Sequence, residues 1–273
     1  WALGLPIWGD EAFVAVNLIL RDFRGMSAPL VYGQIVPLVF MWGELAVSQW
    51  LGLSERALHL LPCIAGIAGL ILYHRCARKI VPPSAALLGV GILAGAYFAA
   101  RHSVEVKPYS TDLLVAVVFT LLGFSLLRHP GCLRRWALLV LFSAVAVWCS
   151  YPAMLVGGAV GMALTARLLR GGCTGRAWLG WACFGVVLCG SAFVMYTSYA
   201  KPHAAQAARL FELVSWAAKF PPICEPWNLP VWFYHVHLGN MFAYPQGGKA
   251  PGSVATFLLF CVEVVLQLLG TTI

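Results

Sequence analysis

Charged residues are scarce in this chain. They make up 10% of its 273 residues, whereas an average soluble domain carries about 25%. Apolar residues make up 61%. This composition excludes an ordinary soluble domain and indicates a membrane protein.

Several patterns of catalytic or metal-binding residues are also missing. The chain contains no glycine-rich phosphate loop, no GxSxG and no HExxH, so nucleotide hydrolysis and serine or zinc hydrolase chemistry have no support. Its nine cysteines form no CxxC pairs, and we interpret them as small apolar side chains rather than zinc ligands. His235 and His237 suggest a metal only weakly, because no third ligand accompanies them.

Long apolar runs predict seven membrane spans. A hydrocarbon core of about 30 Å is crossed by about 20 helical residues. The run 136–169 is too long for one crossing, and Ser150-Tyr151-Pro152 is expected to break it. The predicted spans are 55–73, 84–100, 109–127, 136–151, 152–169, 177–199 and 253–270. The fold class is therefore all-α, a polytopic membrane helix bundle.

Lysine and arginine predict the orientation of these spans, because short cytoplasmic loops collect them. Three loops between spans carry basic residues and no acid. They hold Arg75, Arg78 and Lys79; Arg128, Arg134 and Arg135; and Arg167, Arg170 and Arg176. We expect these loops to face the cytoplasm, which places residues 1–54 and the loop 200–252 outside. The net charge of +8 is then a topology signal, and no nucleic-acid partner is expected.

Residues 1–54 are predicted to hold juxtamembrane helices. A helix that begins at Asp10 places a polar stripe from Asp10 through Asn17 to Arg24 on one face, so we expect it to lie in the membrane interface. The apolar segment 31–53 contains Pro37 and Glu44, and we interpret it as a juxtamembrane or re-entrant helical hairpin.

The chain starts at Trp1 and ends in an apolar run. We therefore expect a fragment of a longer protein, with a first span before residue 1 and a further part after residue 273. The aromatic residues of the loop 200–252 indicate either an interfacial belt or a lid over an acceptor site.

Asp10 and Glu11 form the first polar cluster on the predicted external side. Two interpretations are open. Asp10 is an N-cap and Glu11 a first-turn acid, both favourable at a helix N-terminus. Alternatively, one of these carboxylates is a general base at the membrane surface.

The connection RHSVEVKPY at 101–109 forms the second cluster. Its charges are either merely solvated or paired, or its cations hold a phosphate group through charge-assisted hydrogen bonds. Asp112 lies one turn into the next span, where an acid usually faces a cavity or a partner. An acid that removes a proton, together with cations for a phosphate leaving group, predicts a transferase.

Four ordered segments resemble the GT-C membrane glycosyltransferases. Within that class they are similar to the bacterial relatives of protein O-mannosyltransferases and of the lipid A aminoarabinose transferase, glycosyltransferase family 39. The segments are WGDEA at 8–12, YGQ at 32–34, SERAL at 54–58 and SVEVKPY at 103–109. The resemblance covers residues 8–128, and beyond them only the layout of several spans agrees.

The resemblance implies an inverting transfer from a polyprenyl-phosphate-linked sugar to a protein, lipid or glycan acceptor. The reaction would take place on the external face of the cell membrane, which we expect to be the bacterial inner membrane. The family's acidic pair falls on Asp10 and Glu11 and its loop acid on Glu105, with Asp10 as our choice for the base. Lys107 would contact the donor phosphate.

Further residues complete the predicted site. The other candidates for the donor phosphate are Arg56, Arg101, His102 and Tyr109, and the candidates for donor or acceptor contacts are Tyr32, Gln34 and Asp112. Some members of the class use a divalent metal and others do not. The chain has no clear set of metal ligands, so metal dependence stays open.

Two other functions compete with the enzyme. A transporter or lipid flippase would use Asp112, Glu105 and Lys107 as a proton or substrate pathway. Transporters often contain internal repeats, and we find none in the sequence. The acids also gather on one side, which favours the enzyme. A non-catalytic membrane subunit is the third interpretation, and it would tolerate the loss of Asp10.

Overall fold

The structure is a computed structural model that describes residues 6–171, 174–211 and 225–232, with only the backbone of 97–98 and 208–211. Most of these residues are helical, and none of them lies in a strand. The helices are α1 Gly9–Leu20, α2 Leu38–Leu51, α3 Glu55–Leu58, α4 Leu60–Ala77, α5 Pro83–Gly95, α6 Tyr97–His102, α7 Tyr109–Arg128, α8 Leu133–Cys149, α9 Ala153–Leu169, α10 Gly175–Met195 and α11 Lys201–Phe211. The all-α class is confirmed.

The chain divides into two compact units. The first comprises Trp1–Gly95 and Ala99–Leu210, and the second comprises Ala96–Phe98 and Phe211–Ile273. Within the second unit, a 3₁₀ turn spans Pro226–Asn228. All the contacts considered below lie within the first unit.

Helix α1 differs from the predicted amphipathic helix. It begins at Gly9 with Trp8 as the N-cap residue, so Asp10 does not cap it. The predicted polar stripe is wrong at Asn17, which is fully buried: its amide donates to the Phe13 carbonyl at 2.9 Å and its Oδ1 accepts the Val31 N–H at 2.9 Å. Because the helix ends at Leu20, Arg24 lies beyond it.

The segment 31–53 contains a single α-helix rather than a helical hairpin. A 3₁₀ turn at Val31–Gly33 is followed by an extended segment, and Pro37 is the N-cap residue of α2. Residues of α1, α2, α3 and the loop before α7 share one apolar core, which includes Val14, Leu18, Met41, Leu58 and Val106. This core packs α1 and α2 against the ends of the longer helices.

Helices α4 and α7 run parallel and close together. A Cβ at Gly66 would lie 2.8 Å from the Ser103 Cβ, and one at Gly69 would lie 3.5 Å from the Leu113 side chain. Further along, Arg128 Nη2 of α7 donates to the carbonyl oxygen of Lys79 at 3.2 Å. The N-terminal ends of the two helices therefore lie at one end of the pair and their C-terminal ends at the other.

Helices α7 to α10 share a second apolar core that includes Phe119, Trp136, Leu164 and Phe184. Helix α8 ends at Cys149 and α9 begins at Ala153. The break therefore falls at Ser150-Tyr151-Pro152, where the sequence predicts it.

Three helices of the described residues are long and apolar enough to cross a membrane: Glu55–Ala77, Tyr109–Arg128 and Gly175–Ala207. Helices α5 and α9 are apolar but shorter. The chain is therefore a membrane-associated helical protein. The helix that begins at Gly175 continues to Phe211, past residue 200, where the sequence predicts an external loop. The predicted span 253–270 and most of that loop lie outside the described residues.

Candidate functional site

The candidate site lies where the loop 103–108 meets the start of α1. Glu11 Oε1 accepts the backbone N–H of Val106 at 2.8 Å, and Glu11 Oε2 accepts the N–H of Trp8 at 3.2 Å. His59 Nε2 lies 3.9 Å from Glu11 Oε1, and both side chains are 2% exposed. Glu11 thus joins α1, the entrance of α4 and the loop before α7.

Asp10 and Lys107 form an ion pair at this junction. Lys107 Nζ lies 2.9 Å from Asp10 Oδ2 and donates to Gln34 Oε1 at 3.2 Å. The Asp10 side chain is 43% exposed, whereas that of Lys107 is 11% exposed. A carboxylate that is open to solvent is therefore held in place by a nearly buried cation.

Glu105 contacts two of the residues that are predicted to bind the donor phosphate. Its Oε1 lies 2.7 Å from Arg101 Nε and its Oε2 lies 2.6 Å from His102 Nδ1. The His102 ring contacts the Tyr109 ring, with centroids 4.5 Å apart, and the Arg101 guanidinium lies over the Trp8 ring at 5.6 Å. Both oxygens of the nearly buried Glu105 carboxylate are thus engaged, which suits a positioning role better than proton transfer.

The remaining predicted residues are less closely grouped. Tyr32 has a left-handed backbone conformation (φ 58°), and its ring stacks on Phe13 with centroids 4.9 Å apart. Arg56 is exposed on α3. Asp112 lies in the first turn of α7, and its Oδ1 is buried with no hydrogen-bond partner among the described residues.

A cavity of about 390 Å³ lies between α4, α5, α6 and α7. Most of its wall is apolar and includes Ile67, Leu70, Leu93 and Leu113, while His102 and Tyr109 line it as well. An apolar cavity with a few polar groups is typical of a small-molecule site. This one extends from the ion pairs of Glu105 towards the apolar part of the helices.

No three His, Cys, Asp or Glu side chains of the described residues come close enough to hold a metal ion. His235 and His237, the weak metal candidates of the sequence, lie outside the described residues. The six described cysteines are free thiols.

His59 and Trp8 are contacts of the site that the sequence alone did not single out. Trp8 belongs to the WGDEA segment and His59 directly follows SERAL. Their positions within or beside these segments are the signal by which the sequence could have identified them. A buried histidine reached through tertiary packing has no periodic pattern that identifies it. Gln34, for which the sequence predicts a donor or acceptor contact, accepts a hydrogen bond from Lys107.

Comparison of the chain with protein-family models, with curated proteins and with solved structures gave no match.

Proposed function

We propose that this chain belongs to a multi-pass membrane glycosyltransferase of the GT-C type. The enzyme transfers a sugar from a polyprenyl-phosphate-linked donor to an acceptor on the external face of the cell membrane. The observation that carries the proposal is the exposed Asp10 carboxylate 2.9 Å from the Lys107 ammonium. The resemblance of four ordered segments to the GT-C glycosyltransferases supports a polyprenyl-phosphate-linked sugar as the donor.

The distribution of charge along α4 and α7 supports an external site. The carboxylates of Asp10, Glu11 and Glu105 lie near the N-terminal ends of these parallel helices. Basic residues gather at the opposite ends. Because cytoplasmic loops are rich in lysine and arginine, the acidic end of the pair faces away from the cytoplasm.

Asp10 and Lys107 have different roles in the proposed reaction. Lys107 pairs with the donor phosphate, which releases the Asp10 carboxylate from the ion pair. Asp10 then accepts the proton of the acceptor hydroxyl or amine, whose oxygen or nitrogen bonds to the anomeric carbon. The bond between that carbon and the phosphate oxygen breaks, and its electrons leave with the phosphate, whose charge Lys107 offsets. A single displacement of this kind inverts the anomeric centre.

Glu11 and Glu105 position other residues of the site in this scheme. Glu11 fixes the loop that carries Lys107 through the Val106 N–H. Glu105 orients Arg101 and His102 beside the apolar cavity, which supports a donor with a lipid tail. Positioning of this kind contributes strongly to catalysis, because small displacements of reacting groups are costly.

The test uses the full-length protein with labelled polyprenyl-phosphate sugars and a pool of membrane acceptors. Asp10→Asn should lower transfer by about 100-fold or more, since general bases typically contribute 10²–10⁴-fold. Asp22→Asn is the matched control, because Asp22 lies in the same segment and its carboxylate accepts the Gly25 N–H. Equal transfer by wild type and Asp10→Asn would remove Asp10 from the mechanism.

Transport or lipid flipping is the second candidate, and Asp112 is the observation that favours it. An acid within a candidate span usually faces a cavity or a partner, and Asp112 Oδ1 is buried without a partner among the described residues. In vesicles that contain the full-length protein, Asp112→Asn would then abolish solute or lipid movement. Sugar transfer that survives Asp112→Asn, with no movement in wild-type vesicles, supports the enzyme.

A further inference from the structure

The end of the α4 and α7 pair that lies away from the candidate site contains a second concave surface. A pocket of about 450 Å³ is lined by four basic side chains and one apolar side chain. The lining residues are Arg75, Arg78, Lys79, Leu121 and Arg128. We call this surface the basic pocket.

Helix geometry brings these residues together. The turn after α4 continues the backbone hydrogen bonding of the helix. The N–H of Arg78 donates to the His74 carbonyl at 3.0 Å, and the N–H of Lys79 donates to the Cys76 carbonyl at 3.0 Å. Arg128 closes the pocket from α7 through its bond to the Lys79 carbonyl. The pocket is therefore shaped by two parallel helices and does not depend on a single flexible loop.

The charge of the pocket is of one sign. All four basic side chains are exposed, and no acidic residue lines the pocket. Cations near a helix C-terminus are favoured by the helix dipole, which explains the presence of basic residues at each helix end. It does not explain why cations from both helices surround one concavity.

Leu121 indicates what kind of anion fits. It precedes Arg128 by seven residues on α7, about 10 Å along the axis at 1.5 Å per residue. The pocket thus extends from a cationic rim towards the apolar side of a helix that is long enough to cross a membrane. A free phosphate ion needs only the rim, whereas a phospholipid presents a phosphate and an acyl chain in this order.

We propose that the basic pocket binds the headgroup of an anionic phospholipid of the cytoplasmic leaflet. The lipid phosphate contacts the arginines through charge-assisted hydrogen bonds, and its acyl chain lies along Leu121. Juxtamembrane lysines and arginines bind anionic lipids in this way. The proposal depends on the membrane orientation of α4 and α7 and goes beyond glycosyl transfer, so it stands whether or not Asp10 is a catalytic base.

The experiment is a lipid titration of the purified full-length protein, read by native mass spectrometry. Phosphatidylglycerol and phosphatidylcholine with the same acyl chains are the probes, and inorganic phosphate is a separate competitor. Wild type should bind phosphatidylglycerol about a hundredfold or more tighter than phosphatidylcholine. Each cation near an anionic lipid surface raises the affinity about fivefold. The triple variant Arg75→Gln/Arg78→Gln/Lys79→Gln should therefore bind phosphatidylglycerol more than tenfold more weakly, while its affinity for phosphatidylcholine stays unchanged.

Two further variants separate the pocket from charge in general. Arg167→Gln/Arg170→Gln/Arg176→Gln removes the same number of charges from another basic loop and should change the affinity by less than about threefold. Arg75→Lys/Arg78→Lys keeps the charges and should retain the preference. Equal losses in the two triple variants, or a lost preference in the charge-preserving variant, would overturn the proposal. Displacement of the lipid by millimolar inorganic phosphate would overturn it as well, since the pocket would then take a free anion.

Discussion

Glu44 is a buried acid that the proposed chemistry does not use. It is fully buried on α2, and both of its carboxylate oxygens lack a hydrogen-bond partner among the described residues. Loss of hydration raises the pKa of this carboxyl well above its usual range, because an ionised carboxylate is costly in apolar surroundings. The folded chain therefore keeps Glu44 protonated at pH values where the unfolded chain has already released the proton.

We predict that Glu44→Gln stabilises the protein at neutral pH and has no effect near pH 4. An unfolded glutamate titrates at about 4.3. As the pH rises from there to the higher pKa of the folded state, the unfolded chain loses a proton that the folded chain retains, so wild type loses stability. Each unit of pKa difference corresponds to about 1.4 kcal/mol.

Thermal unfolding of both proteins in detergent between pH 4 and pH 8 measures this difference. The gap between the two melting temperatures should widen with pH and then level off. A gap that is the same at all pH values would mean that Glu44 has an ordinary pKa in the folded state.

Asp10 and Glu11 illustrate what the sequence predicts at the scale of single residues. Neighbours on a helix point about 100° apart, so the sequence predicts different directions for the two acids. It does not predict that Glu11 would find the Val106 N–H, a contact across 95 positions of the chain. Partners of this kind depend on tertiary packing, which local pattern does not contain.

Asn17 makes the same point for a failed prediction. Its position on the helix wheel suggested a polar face, but the loop at Val31 needs a hydrogen-bond acceptor, and the buried Asn17 amide supplies one. A buried polar side chain is stable when it is hydrogen-bonded. Helical periodicity alone cannot separate such a residue from an exposed one.

At the scale of elements, the close approach of α4 to the site depends on a glycine. A Cβ at Gly66 would lie 2.8 Å from the Ser103 Cβ, and Ser103 starts the loop that carries Glu105 and Lys107. The apolar runs predicted the helices themselves, because hydrophobicity and length define them locally. The single helix α2 was missed because Glu44 and Pro37 suggested a break, whereas Pro37 begins the helix and Glu44 is buried within it.

We predict that Gly66→Ala destabilises the protein by about 1–3 kcal/mol, the usual cost of an overpacked contact. It should also lower the rate of sugar transfer, because the added methyl group displaces the loop that carries Lys107. Gly91→Ala is the matched control, since Gly91 lies in α5 and an added Cβ would have no described atom beyond its own helix backbone within 4 Å. That change should stabilise the helix by about 0.5–1 kcal/mol.

The measurement is again thermal unfolding, combined with the transfer assay. The prediction fails if the two alanine variants melt at the same temperature, because the contact between α4 and the loop would then have room for a methyl group.

At the scale of the whole molecule, the carboxylates of the candidate site, together with Arg101 and Lys107, lie near the N-terminal ends of α4 and α7, whereas the basic pocket at the opposite ends is lined by no acid. The basic loops predicted this separation from the sequence, and the parallel packing of the two helices in the structure agrees with it. The separation matters because a polyprenyl-phosphate donor and its acceptor must meet on one side of the membrane. The orientation of the chain therefore decides whether an external transferase is feasible at all.

We predict that residue 27 is accessible from outside the cell and residue 129 only from the cytoplasm. Ser27 is exposed in the segment before α2, and His129 is exposed directly after α7, beside the basic pocket. Single cysteines, Ser27→Cys or His129→Cys, are introduced into a variant whose nine native cysteines are replaced by serine or alanine. A membrane-impermeant maleimide should label the first in intact cells and the second only after permeabilisation, because positively charged loops are retained in the cytoplasm. The opposite pattern would place Asp10 in the cytoplasm and exclude an external transferase, and labelling of both in intact cells would contradict a crossing by α7.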